Sequence, residues 1–574
     1  MREVSNVKSA CLPKLVFINL NRKVSVRAAV ILIGRGSAAI ARFISLMRKN
    51  ASADRRRLAT DLGRGSFIPR VRLTMLHVAM AALLPVVPAA ATVPEWIEGN
   101  RARILREYVE LLAIPNVASD TVNIRRNADH LVTMMRARGL SPRLLPAPGD
   151  KGPPAIYGEW RIPGSRQTLV LYAHYDGQPV TARDWKSTAP FTPVLRTARL
   201  DRAGRTIPLP GLADAIDPDW RLYARSASDD KAGVMAILTA VDALRAGGVT
   251  PAFNLKIFLD GEEEAGSPNI RAILQANRAL LKSDGWLIVD GPAHANGATQ
   301  AVLGVRGIVS ADITIHGPTR PLHSGHYGNW APNPAMMLSQ LLASMKDADG
   351  KVLIAGFYDD IVPLTAAERA AVLAVPNADA EQKADLGLAR TEGQGRSLAE
   401  LIQQTSLNVD GIRSADVGDA ARNVVPATAT ATIDMRLVKG DDPRHQIARV
   451  KAHIERQGYL VLDRAPTMAE RLRHPRIATL VSEDGYAAAR TGLDHPLARR
   501  LIAGAGAAGP LVVLPSTGGS LPLSVIEQAL GAPTTTLSPW NYDNSQHAED
   551  ENLRLGNLWA GIAAVASVMS VPTR

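Results

Sequence analysis

The chain has 574 residues, enough for two or more domains, and carries a formal net charge of +12. That charge is localised: residues 1–91 hold 16 of the 66 lysines and arginines but 3 of the 54 acids, leaving 50 basic and 51 acidic residues in 92–574. The near-neutral balance of this larger part speaks against a nucleic-acid partner. The single cysteine, Cys11, lies in the basic leader, so beyond it there is no disulfide and no thiolate ligand, and any metal must be held by His, Asp and Glu.

In the leader, Arg70 and Arg72 precede an uncharged run from Leu73 to Ala91 that ends in Ala89-Ala90-Ala91. A basic flank, an apolar centre and a small-residue end predict a signal peptide over about 70–91. The expectation is an exported enzyme, periplasmic or secreted, cleaved near Ala91. Trp96 to Ala113 and Asn127 to Gly139 have helical periodicity. The apolar run Leu169 to Ala173 predicts a buried strand, ending in His174 and Asp176. A histidine at such a strand end sits where open α/β sheets place ligands, and an acid two residues on can hold its other ring nitrogen.

Residues 181–222 are proline-rich and read as loop. Asp229 and Asp230 then open a helix from Gly233 to Arg245, where they serve either as caps or as ligands. The strand Asn254–Leu259 ends in Asp-Gly-Glu-Glu-Glu, and Gly285–Val289 ends in Asp290. Three buried strands in succession therefore end in His, Glu and Asp, a pattern that points to a hard-ligand metal site.

From Val305 the character changes. Strand Val305–Gly317, helix Asn333–Met345, strand Ala427–Val438, helix Pro443–Gln457 and strand Tyr459–Leu462 predict a separate α+β domain with helices on one face of a sheet. Residues 346–422 read as an insertion, partly helical near Thr365 to Leu373. After about 467 the alternation of helix and strand resumes, and His547 follows another short strand, Thr534–Leu537.

The blocks AHYDGQPV, ARSASDDKAG, DGEEEAGS, IVDGP, PLHSGHYGNWAPNP, RNVVPATATATIDMRLV, STGGSLP and QHAEDEN, in this order, resemble the co-catalytic zinc peptidase family. It includes carboxypeptidase G, carnosinase-type dipeptidases, aminoacylase, acetylornithine deacetylase and succinyl-diaminopimelate desuccinylase, and the likeness is to the dipeptidase branch. The resemblance implies an α/β two-metal peptidase sandwich, a mixed sheet flanked by helices, over about 92–302 and 467–574. An inserted α+β lid and dimerisation domain would span about 303–466. It implies two Zn2+ per subunit, with Mn2+ or Co2+ as substitutes: His174, Asp229 and Asp290 on one, Asp229, Glu264 and His547 on the other. Glu263 would be the general base and Asp176 the orienting acid, and the Asp229–Asp230 peptide would be cis. His323, Asn423, Arg436, Gly519 and Ser520 would bind substrate, with His323 reaching across a homodimer and Arg436 holding a carboxylate. Ala224 and Ser226 stand where the family often has glycine. The implied activity is hydrolysis of dipeptides or short peptides with a free C-terminal carboxylate. The alternative is deacylation of N-acyl amino acids on the same site, and an inactive peptide-binding homologue is the rival of another class.

Overall fold

In the computed structural model, residues 91–571 other than 522 are described. Thr92 and Glu95 form a capping box at the start of α1 (Val93–Leu112), and Asp120 caps α2 (Thr121–Ala137). The chain then forms β1 (Arg143–Leu145), β2 (Ala155–Trp160) and β3 (Thr168–His174). After α3 (Lys231–Ala246) come β4 (Asn254–Asp260), β5 (Gly285–Val289) and β6 (Thr299–Val302). A second sheet opens with β7 (Gly304–His316) and adds α4 (Pro334–Met345), β8 (Ser406–Arg413), β9 (Thr428–Leu437), α5 (Pro443–Arg456), β10 (Leu460–Leu462) and β11 (Ile477–Ser482). The chain returns to the first sheet through α6 (Pro496–Ala508), β12 (Leu511–Leu514) and β13 (Thr534–Ser538), and closes with α7 (Leu555–Ser570).

The first sheet has the order β1-β2-β4-β3-β5-β13-β6-β12. Its central strands β4, β3, β5 and β13 are parallel, so their C-terminal ends share one edge. The strands alternate between two apolar layers, as a period of two requires. Leu169, Leu171 and Ala173 join the core beneath α1, α2, α3, α6 and α7, whereas Val170 and Tyr172 join Phe258 and Trp286 against Ile270, Ile273 and Ile526. Burial on both faces explains why these strands read as continuous apolar runs.

In the second sheet, ordered β8-β9-β7-β11-β10, α4 and α5 cover one face. Leu338, Leu341, Val450 and Ile454 pack there on Val309, Ala311, Ile313 and Ile315. The architecture is an α/β sandwich carrying an inserted α+β domain. Three details depart from the sequence reading. β11 pairs with β7 over Ala311–His316, so the second sheet runs to Ser482 rather than ending near 466. β8 lies inside the insertion and forms an edge of that sheet. The stretch 181–222 is not plain loop: Val194–Arg196, Thr206–Ile207 and Arg221–Tyr223 form a small sheet with Asn552–Arg554. The pairings of β11 with β7 and of Arg221–Tyr223 with Asn552–Arg554 join segments remote in sequence, which no local pattern announces.

Candidate metal centre and catalytic cavity

The shared edge of the parallel strands gathers the acids. β3 ends at His174, β4 leads into Glu263 and Glu264, β5 leads into Asp290, and His547 lies in the loop after β13. Asp229 reaches the same place from the turn before α3. There Asp230, one residue on, caps the helix by accepting from the Gly233 N–H at 3.0 Å and also accepts from the His174 N–H at 3.3 Å. The two adjacent acids thus divide the roles left open by the sequence: Asp230 caps and Asp229 faces the cluster. Gly233 is required by close packing, since a Cβ there would collide with the Val289 carbonyl oxygen.

Two triads of ligand-type atoms form, His174 with Asp229 and Asp290, and Asp229 with Glu264 and His547, each set within 4.8 Å of one another. Asp229 stands between them: its Oδ1 is 3.0 Å from His174 Nε2 and its Oδ2 is 3.1 Å from His547 Nε2. Asp290 Oδ2 lies 3.8 Å from His174 Nε2, and Glu264 Oε2 lies 3.3 Å from His547 Nε2. Glu263 belongs to neither triad; its Oε2 is 3.9 Å from His174 Nε2 and it lines the cavity between them. Asp176, fully buried, stands 3.4 Å from His174 Nδ1 and accepts the backbone N–H groups of Glu263 and Glu264 at 3.1 Å each. One carboxylate therefore positions both the histidine and the glutamate pair.

The electrostatics call for cations. Burial and the Asp229 charge push the Glu264 carboxyl up to about 8, and the same two causes push Asp290 up to about 7. Burial, then the charges of Glu264 and Asp290, also raises Glu263. Burial works to raise Asp229 as well, but hydrogen bonds from His174 and His547 more than offset it. The Asp229 hydrogen bond in turn lifts His547 to about 9. Oxygen and imidazole donors in two sets that share one carboxylate suit divalent ions, zinc foremost.

Several supporting residues were not singled out from the sequence. Glu551, fully buried, accepts from the backbone N–H groups of Ser226, Ser228 and Asp229, from Ser228 Oγ and from Arg225 Nη1, all at 2.8–2.9 Å. It holds the whole turn that presents Asp229, including its cis peptide to Asp230. In that turn Ser226 adopts φ 61, the left-handed region that explains the family's frequent glycine there. The only sequence signal for Glu551 was its place in the QHAEDEN block. Gln178 Nε2 donates to Glu264 at 2.7 Å and Gln546 Nε2 to Asp229 at 3.1 Å.

The cluster opens into a cavity of about 820 Å³ that Arg436, Arg306, Asn408 and Gly519 also line. Asp434 Oδ2 accepts from Arg436 Nε at 2.7 Å, and Asn408 donates to Asp434 Oδ1 at 3.1 Å. Asp434 and Arg436, two apart on β9, share one face, a D-x-R spacing legible in the sequence. Arg306 is buried and donates to Ser406 Oγ and to the Gln404 and Arg436 carbonyls; burial and the Arg436 charge push it down to about 10. Gly519 and Ser520 end a short strand, Thr517–Ser520, that pairs with β7.

His323 and Asn423 stand apart from this cavity. His323 lies in the two-stranded ribbon Leu322–His323 and Val424–Val425, Asn423 immediately precedes its second strand, both are exposed, and the Ser324 N–H donates to the Asn423 carbonyl. The His323 ring packs on His326 at 4.4 Å between centroids.

Residues 303–460 match the M20 peptidase dimerisation domain. The chain is 26% identical to the Cys-Gly metallodipeptidase DUG1 of Saccharomyces cerevisiae over 82% of this chain and 96% of that protein. It is 24% identical to human Beta-Ala-His dipeptidase over 83% and 88%. A crystal structure of an M20 family metallo-carboxypeptidase from Sulfolobus solfataricus superposes with a TM-score of 0.66, at 26% identity, covering 81% of this chain and 98% of that one. These comparisons overturn the expectation of a periplasmic or secreted enzyme, because the fungal Cys-Gly metallodipeptidases among the relatives are cytosolic. That expectation rested on a leader of which residues 1–90 lie outside the described residues, and on composition, which does not by itself separate a targeting segment from other apolar N-terminal runs. The likeness runs almost the full length of these relatives: the chain carries the M20 peptidase dimerisation domain over residues 303–460 and as a whole is similar to metallopeptidases of that family, the dipeptidases among them.

Proposed function

We propose that the protein is a two-metal dipeptidase that cleaves short peptides bearing a free C-terminal carboxylate. The observation that carries this reading is one cavity lined both by members of the acid cluster, Asp229, Glu263, Asp290 and His547, and by Arg436. His174, Asp229 and Asp290 would hold one ion, and Asp229, Glu264 and His547 the other. When bound, the ions supply Lewis acidity and an acidified water. Glu263, left over by both triads, takes the proton of the attacking water and returns it to the leaving nitrogen. Asp176 fixes the imidazole of His174 while the charge of the cluster changes.

The planar guanidinium of Arg436 suits a terminal carboxylate, with Gly519 and Ser520 as neutral neighbours. Asp434, bonded to Nε, anchors that guanidinium at the wall of the cavity. His323 and Asn423, exposed and remote from their own cluster, fit a role at the site of a second copy, where His323 donates to the substrate carbonyl oxygen. The exposed edge strand β8, with Val409 and Ile412 on its surface, supports a homodimer through this domain.

A panel of dipeptides, the same dipeptides amidated at the C-terminus, and N-acetyl amino acids tests the reading at equal concentrations. Free dipeptides should be turned over fastest and amidation should abolish most of the rate. Faster turnover of N-acetyl amino acids would favour an N-acyl amino-acid deacylase on the same site. Equal rates for free and amidated dipeptides would remove the carboxylate clamp.

A further inference from the structure

We infer that the insertion builds a side-chain subsite, an apolar wall of Leu398 and Ile402 backed by Val375, Ala399 and Leu514, which receives an apolar side chain on the C-terminal residue of the substrate. The inference rests on the dipeptidase reading above and names the substrate class within it.

A one-turn helix, Leu398–Leu401, starts from a capping box of Ser397 and Glu400. Leu398 and Ile402 are four residues apart and so share a face, and both line the catalytic cavity. Leu398 is 51% exposed, a large apolar side chain left facing open space within that cavity. The wall behind it is anchored. Val375 and Ala399 pack on Ala298, Val302, Val512 and Leu514, at the β6–β12 edge of the first sheet. Gln403 Nε2 donates to the Ser516 carbonyl at 2.9 Å, and the Leu398 N–H donates to Asp379 at 3.2 Å. That last bond engages an acid that also lines the cavity.

The wall lines the same cavity as Arg436, and Ile402 stands beside the Gly518–Gly519 stretch that lines it too. A Cβ added at Gly518 would stand 3.4 Å from Ile402 Cγ2, and Gly519 is the next residue. Four residues beyond Ile402, Ser406 is the register partner of Arg436. The Cα of a residue whose carboxylate rests on Arg436 is one bond from that carboxylate, and Arg436, Leu398 and Ile402 line one cavity, which assigns the side chain of that residue to this wall. The cavity, at about 820 Å³, leaves room for a side chain well beyond glycine. Apolar pockets of this kind discriminate by roughly 10- to 200-fold, and a half-exposed wall belongs at the lower end.

The test uses the metal-loaded full chain and the series Ala-Gly, Ala-Leu, Ala-Asp and Ala-Lys, with Gly-Ala and Leu-Ala as the reversed pair. The expected kcat/KM for Ala-Leu exceeds that for Ala-Gly by roughly tenfold, and Leu398→Ala brings the ratio toward one. Calorimetric binding of free leucine against free glycine reads the same wall without catalysis. A ratio near one in the unaltered protein, Ala-Asp or Ala-Lys matching Ala-Leu, or a preference that follows the first residue instead of the second would each overturn the subsite. If no dipeptide is cleaved, the peptidase reading fails. In that case tighter binding of leucine than glycine, abolished in Leu398→Ala, still upholds the wall, and equal binding overturns it.

Discussion

Glu263 and Glu264 are neighbours in the chain, share Asp176 as a backbone acceptor, and nevertheless face different tasks. Glu264 meets His547, whereas Glu263 stays outside both triads. Glu263→Gln keeps the shape and removes the base, so turnover should fall by roughly 10²–10⁴-fold while elemental analysis still finds bound metal. Metal loss in that variant would instead make Glu263 a ligand. Glu551 is the second residue whose chemistry is testable alone. Glu551→Ala leaves the buried Arg225 without its acid and strips three backbone N–H groups of their acceptor, a change that costs about 3–5 kcal/mol when a buried pair is broken. Denaturant unfolding measures that loss, and metal affinity should fall with it because the same turn presents Asp229.

Among the elements, β9 and β8 together supply Arg436, Ser406 and Asn408 to the cavity lining. Their register pairs Arg436 with Ser406 and Asp434 with Asn408. Arg436→Ala should reduce kcat/KM on free dipeptides by about 2–4 kcal/mol, the range for removing a charge-assisted hydrogen bond from a closed site. Amidated substrates should be insensitive to it, since mutation and amidation delete the same interaction. Asp434→Asn should act more weakly and through KM, because it loosens the guanidinium without deleting it. β8 is also an edge strand, with Ile412 63% exposed. Placing a charge there, Ile412→Glu, should shift the protein toward monomer in gel filtration and lower activity along with it. An active monomer would count against the trans role of His323. Mixing His323→Ala with Glu263→Gln subunits asks the same question in reverse: restored activity in the heterodimer is the expected result.

For the whole molecule, the cluster makes stability depend on pH and metal together. Glu264 and Asp290 are raised to about 8 and about 7 in the folded chain, against an ordinary carboxylate value of about 4. His547 is raised to about 9 from about 6.5. All three hold protons in the folded state that the unfolded chain gives up, so without metal stability is present at low pH and falls as pH rises from about 5 to 9. Divalent ions replace those protons. Melting temperatures in EDTA should therefore drop between pH 5.5 and 8.5, and the gap between metal-loaded and metal-free protein should widen over that interval. A gap independent of pH would mean that the acids are not the ligands.

The residues at the strand ends were legible in the sequence because short-range rules govern them. A buried strand must be an apolar run, and a polar residue that interrupts it marks the sheet edge. His174, Glu263, Glu264 and Asp290 are each visible that way, whereas Asp434 was not singled out, although its spacing of two from Arg436 on an alternating strand could have marked it. The apolar faces of α1 and α2 and the β-α-β order after Val305 follow from the same local periodicities. The tertiary structure alone decided what depends on the meeting of distant segments. It gave Asp230 the capping role beside Asp229, a division that the two adjacent identical residues could not reveal by their pattern and that only the family resemblance had indicated. It set Glu551 beneath a turn some way back along the chain, carried the second sheet on to β11, and paired the stretch 181–222 with Asn552–Arg554. It also brought Leu398 and Ile402 of the insertion to the cavity, where the sequence had indicated only an insertion, partly helical near Thr365 to Leu373. Local pattern states what kind of element a segment forms; which partner it meets is a matter of long-range packing, and the chemistry of this site depends on those meetings.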